Sequence, residues 1–124
     1  MPNPIRVCIV GAGRFAQCFI PLFKCHPRVD GVSLCDVDPD RLSSEAARFG
    51  IRRTFLSYGE ALAARDVDAV AIFTERWTHA PMTLEALEAG KHVFSSVPAA
   101  TTLDELDALV DAVRRTGLVY MMGE

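Results

Sequence analysis

The sequence predicts a doubly wound α/β domain, a parallel sheet with helices on both faces. Strand-like runs alternate with helix-like segments along the chain, and several runs are apolar at consecutive positions, as strands covered on both sides must be. Capping residues and glycines fall where one pattern gives way to the next. Crossovers between parallel strands are right-handed, which leaves a single domain over 1–124, with strand order 3-2-1-4-5-6, as the economical topology.

The first run, IRVCIV at 5–10, is rich in β-branched residues and ends at Gly11. From Gly13 to about Lys24, Phe15, Phe19, Leu22 and Phe23 recur at steps of three and four, which predicts a helix with one apolar face. VSLCDV at 32–37 is the second strand; Asp38 then caps a helix with Pro39 at its first position, running to Phe49 and stopped by Gly50. A weak strand near RRTF (52–55) follows, and Ser57 with Glu60 makes a capping box for a short helix. VDAVAIF at 67–73 is the fourth strand, Pro81 opens a helix closed by Gly90, and HVF at 92–94 is the fifth strand. Thr102 with Glu105 forms another capping box. Its helix carries an apolar stripe of Leu103, Leu106, Leu109, Val110 and Val113, and Gly117 ends it before LVYMM at 118–122.

The 124 residues, half of them hydrophobic, suit one domain of ordinary size. A net charge of -3 with acids and bases interspersed offers no extended positive face, which argues against nucleic acid and membrane surfaces as partners. No apolar run approaches the roughly 20 residues that span a bilayer, and the N-terminus lacks a signal pattern, so a cytoplasmic protein is expected. Cys8, Cys18, Cys25 and Cys35 form no C-x-x-C pair and no His clusters with them, so they read as buried reduced thiols, with no metal site.

In a doubly wound sheet ligands sit at the carboxyl ends of the strands, where the winding reverses. The loop after the first strand reads GAGRFA, fitting G-x-G-x-x-A: Gly11 permits the tight turn, Gly13 lets backbone approach a pyrophosphate, and Ala16 allows close packing. The amides beside Gly13, from Ala12 through Arg14 and Phe15, would face the phosphates. Asp36, twenty residues beyond Ala16, would accept from both ribose hydroxyls and repel a 2'-phosphate, which points to NAD rather than NADP in a Rossmann fold. After the fourth strand come Phe73, Thr74, Trp77 and His79. Trp77 reads either as a surface ring or as a wall for the nicotinamide end. With no visible acid partner, His79 reads as a cap or as packing against cofactor rather than as a proton carrier.

Over nearly its whole length the chain resembles the N-terminal domain of the glucose-fructose oxidoreductase and myo-inositol dehydrogenase family, Gfo/Idh/MocA. GAGRFA, CDVDPDR, DVDAVAIFT, the Thr74–His79 loop, ALEAGKHVF and PAATTLDELDALVDAV carry the resemblance, in that order. It implies an NAD-dependent dehydrogenase acting on a sugar, polyol or similar carbonyl compound, with a second domain beyond Glu124 supplying most of the substrate site. Members also include lyases, glycosidases and regulators that bind cofactor without turnover. Where typical members carry Glu-Lys-Pro beside the nicotinamide, this chain has Ser96, Val97 and Pro98, and Glu75 stands where proline is common. The resemblance implies a cis Val97-Pro98 bond.

Valine cannot donate, accept or polarise, so the chain is assigned no catalytic residue of its own. Two functions stay open: the cofactor domain of an oxidoreductase whose partner domain does the acid-base work, or a non-catalytic NAD-binding sensor or regulator. The expected partner is a small-molecule substrate met through the further domain. The sequence admits a homo-oligomer and is silent on its size.

Overall fold

The computed structural model describes residues 3–124. Six strands form one parallel sheet in the order β3-β2-β1-β4-β5-β6: β1 (Ile5–Val10), β2 (Val29–Cys35), β3 (Thr54–Phe55), β4 (Ala69–Ile72), β5 (His92–Ser96) and β6 (Tyr120–Gly123). Five helices connect them: α1 (Arg14–Cys25), α2 (Pro39–Phe49), α3 (Tyr58–Ala63), α4 (His79–Glu88) and α5 (Leu103–Thr116).

Successive strand residues point to opposite faces, and the core divides accordingly. Val7 and Ile9 of β1 join Ala16, Ile20, Leu42 and Ala46 beneath α1 and α2, whereas Cys8 and Val10 join Ala61, Ala86, Leu87 and Ala112 beneath α3, α4 and α5. In β4 the small Ala69 and Ala71 face the α1 side and Val70 and Ile72 the other. Space on the α1 side is taken by a run of rings: Phe19 meets Phe73 at 5.0 Å between centroids, Phe73 meets Phe94 at 6.0 Å, and Phe23 meets Phe94 edge-on at 5.6 Å. A guanidinium fork ties the amino ends of the two central strands, with Arg6 of β1 donating to both carboxylate oxygens of Asp68, just before β4.

Caps form where the residue types predict them. Asp38 accepts from the amides of Asp40 and Arg41, Ser57 from Glu60 and Thr102 from Glu105, and Gly50, Gly90 and Gly117 take positive φ at or just beyond helix ends.

Several expected boundaries shift. β2 begins three residues earlier than expected and stops at Cys35, because the Asp36 carboxylate turns back onto loop amides. α4 starts at His79, two residues before Pro81, after a 3-10 turn at Arg76–Thr78. On α5 the buried residues are Leu109 and Ala112; Leu103, Leu106 and Val110 are exposed, so the stripe inferred from hydrophobicity is rotated from the buried face. α1 likewise buries Ala16 and Ile20 while Phe15 and Leu22 stay exposed. Only Cys8 and Cys35 are buried; Cys18 and Cys25 are exposed, against the expectation of four buried thiols, because α1 turns them away from the sheet.

Candidate functional site

At the carboxyl ends of β1, β2 and β4 lies a cleft of about 560 Å³. Gly11, Gly13, Arg14, Phe15, Asp36, Phe73 and Thr74, all expected there from sequence, line it. Gly11 is confined twice over. Its φ of 92° is unfavourable for a side chain, and a Cβ would stand 3.1 Å from the Phe73 backbone and 3.2 Å from Thr74 Cγ2. At Gly13 a Cβ would meet no protein atom within 4 Å, so protein packing does not call for glycine there, whereas a ligand lying against the backbone would. Gly13 also gives α1 no side-chain cap, and no acidic side chain occupies the first turn. The helix start therefore presents amides and the positive end of its dipole to the cleft, a donor set that suits a diphosphate.

Asp36 is buried between the loops after β1 and β2. Oδ2 accepts from the Ala12 amide at 2.9 Å and Oδ1 from the Asp38 amide at 2.8 Å. Ala12 thus lies behind the loop rather than in the cleft, and its amide braces the carboxylate. Arg41, one turn into α2, brings Nη1 to 3.5 Å from Asp36 Oδ2 and Nη2 to 3.6 Å from Asp38 Oδ2. A cation therefore borders the Asp36 carboxylate, from which ribose contacts are expected on sequence grounds.

Sequence reasoning missed Tyr58 and Met82 on the cleft wall. Tyr58 donates to the Met82 carbonyl at 2.6 Å, and burial pushes its phenol above the ordinary range. The aromatic at the first position of α3 was visible in the sequence; its approach to α4 was not. Cys35 also lines the cleft, its thiol pushed up to about 11 by burial and then by the neighbouring Asp36 charge.

The other candidates fall around this cleft. Trp77 sits on the 3-10 turn, 59% exposed and outside the lining residues. Ser96 ends β5 and its hydroxyl donates to the Ile72 carbonyl at 3.1 Å. Val97 follows, 44% exposed, before a cis bond to Pro98. His79 is 2% exposed, with ring nitrogens 2.8 Å from the carbonyl oxygens of Pro98 and Thr74. It neither caps α4 through its side chain nor offers a free nitrogen to the cleft. Among the described residues no cluster of His, Cys, Asp or Glu could hold a metal ion, and no helix is long and apolar enough to cross a membrane.

The Gfo/Idh/MocA family model, described as an oxidoreductase family with an NAD-binding Rossmann fold, matches residues 5–124. A 4-carboxy-2-hydroxymuconate-6-semialdehyde dehydrogenase of Sphingobium sp. is 32% identical over 96% of this chain and 38% of its own. Inositol 2-dehydrogenase 3 of Saccharopolyspora erythraea is 35% identical over 91% of this chain and 33% of its own. Among solved structures, a 3-ketoreductase from Actinomadura kijaniata in complex with TDP-benzene and NADP superposes with a TM-score of 0.89 at 30% identity, over 98% of this chain and 38% of that one. The chain thus spans between a third and two fifths of the length of these relatives. With the fold, the glycine loop and the match in agreement, the chain belongs to the Gfo/Idh/MocA oxidoreductase family and forms its NAD-binding Rossmann fold.

Proposed function

We propose that the chain is the cofactor-binding domain of an NAD-dependent oxidoreductase acting on a sugar, polyol or related carbonyl compound, whose substrate site lies mostly in a further domain. One observation carries the reading: the Gly11–Gly13 loop and the Asp36 carboxylate are joined by the Ala12 amide at 2.9 Å, so a diphosphate site and a ribose site are held at fixed spacing. When bound, NAD supplies the acceptor or donor of a hydride. The chain's own part is to bind and orient it. Loop amides at the start of α1 take the diphosphate, Asp36 accepts from the ribose hydroxyls with its remaining lone pairs, and Phe73 and Thr74 border the way to the nicotinamide end. The inositol dehydrogenase relative supports a polyol as the substrate class.

Val97 stands where the family's lysine would assist proton transfer, so the acid or base must come from the further domain. The same exposed valine favours a second reading, a sensor that binds NAD without turnover.

Asp36 favours NAD, whereas Arg41 beside it could meet a 2'-phosphate. Calorimetry with both cofactors decides between them, with tighter binding of NAD(H) expected. Asp36→Ala should cost about 1.5 to 3 kcal/mol of NAD affinity, the range for hydrogen bonds to a charged group. An equal or reversed preference would give the site to Arg41 and a phosphate, and no loss in the variant would remove Asp36 from the site. Turnover of polyols by the longer protein would separate the enzyme from the sensor.

A further inference from the structure

The two flanks of α5 differ in what they meet. Arg115, about two and a half turns beyond Leu106 and so on the opposite side of the helix, meets Glu88 of α4. The other flank carries Leu103, Leu106, Val110 and Val113, at successive steps of three and four. The first three are exposed, and Val113 packs only partly against the core. This spacing is the a/d seam of a two-helix contact. Beyond it lies β6, the last strand of the sheet, which pairs with β5 on one edge and with no described strand on the other. Met122, on the same face of β6 as Tyr120 and therefore on the α5 side, is exposed as well.

Apolar helix faces and unpaired strand edges are surfaces that proteins cover. What covers this one is indicated by its charges. Asp107 and Arg114 border the seam one heptad apart, and among the described residues neither side chain has an ion pair or a hydrogen bond. A face that carries both signs at a fixed spacing complements a second copy of itself. Two α5 helices in parallel would bring like residues level. Antiparallel, they bring Asp107 of each level with Arg114 of the other while Val110 meets Val113. A slide of one heptad, which sets Leu106 against Val110, would instead put Asp107 against Asp107. Charge thus selects one direction and one register.

We propose that the open flank of α5, beside the free edge of β6, docks a second copy of this chain, with the two α5 helices antiparallel about a two-fold axis. The cleft at the ends of β1, β2 and β4 lies away from this contact, since none of its lining residues belongs to α5 or β6. One helix flank is a small interface, so the dimer should dissociate on dilution.

Sedimentation velocity over a dilution series of the chain reads the association. Exchange between a 13.6 kDa species and its dimer is expected. Leu106→Glu, which buries a charge in the seam twice over, should leave only the single copy up to about 1 mM. Asp107→Arg and Arg114→Asp should each weaken the dimer about tenfold by setting like charges opposite each other, and the two together should restore it to within about threefold of wild type. Circular dichroism checks the fold of each variant. If Leu106→Glu does not fold, the charge exchange decides alone. A wild-type chain that stays a single copy at about 1 mM overturns the proposal and leaves the edge to another stretch of polypeptide. A dimer indifferent to Leu106→Glu, or a double charge variant as weak as the single ones, overturns it equally.

Discussion

Cys8 and Cys35 point into the core from adjacent strands, and burial pushes their thiols up to about 12 and about 11. The thiolate is the reactive form, so at pH 8 both are protonated as well as shielded, while Cys18 and Cys25 lie open on α1. A disulfide-exchange reagent should therefore modify two thiols in the native chain at pH 8 and four after unfolding; a third native thiol reacting at the rate of the first two would refute the division. Individual residues were legible in the sequence where chemistry is local. The glycines of the first loop and Asp36 were placed by spacing alone. The Asp36 bond to the Ala12 amide arises only once β1 and β2 lie side by side, whereas the Asp38 amide and Arg41 meet the same carboxylate from within its own β2–α2 segment. The two carbonyls that grip His79 belong to Thr74 and Pro98, brought together by the pairing of β4 with β5, and no window of sequence around the histidine contains both.

At the scale of elements, the start of α5 shows how locally a helix end is specified. Thr102 Oγ1 accepts from the Glu105 amide at 3.1 Å, and the Glu105 carboxylate reaches back to Thr101, taking its amide at 3.1 Å and its hydroxyl at 3.0 Å. The reciprocal bond thus lands one residue earlier than a capping box requires. Thr102→Ala should lower stability by about 1 kcal/mol, read as a lower urea midpoint with unchanged slope; an unaltered midpoint would mean that the bond is replaced by water at no cost. Such caps were legible because they involve residues three apart. Strand limits were not, since a strand lasts as long as its neighbour pairs with it. β3 is two residues long because only Thr54 and Phe55 find partners, Leu34 and Cys35. The buried face of α5 was misread for a related reason. Hydrophobicity ranks Leu103 and Val110 above Ala112, yet Ala112 is fully buried in the same core cluster as Ala86 of α4, where small side chains allow close approach.

The whole molecule should respond to cofactor as one cooperative unit, because the cleft is built from the ends of β1, β2 and β4 and the start of α1. NADH at one hundred times its dissociation constant adds about 2.7 kcal/mol to the folded state, which for a domain of this size raises Tm by about 10 °C. A melting temperature unmoved at that saturation would mean that binding is not confined to the folded chain. The strand order also sets a schedule. β1 is made first but occupies the middle of the sheet, pairing on one side with β2 and on the other with β4, where Val7 meets Ala69 and Val10 meets Ile72. Among the described residues no hairpin joins any two strands, so each contact waits for a helix to pass between them, a topology that folds slowly. On a ribosome adding about 5–20 residues per second, several seconds separate the emergence of Val10 from that of Ile72. Throughout that interval the oldest strand of the sheet stays bare along one edge, and the sheet can close around it only once β4 has been made through Ile72.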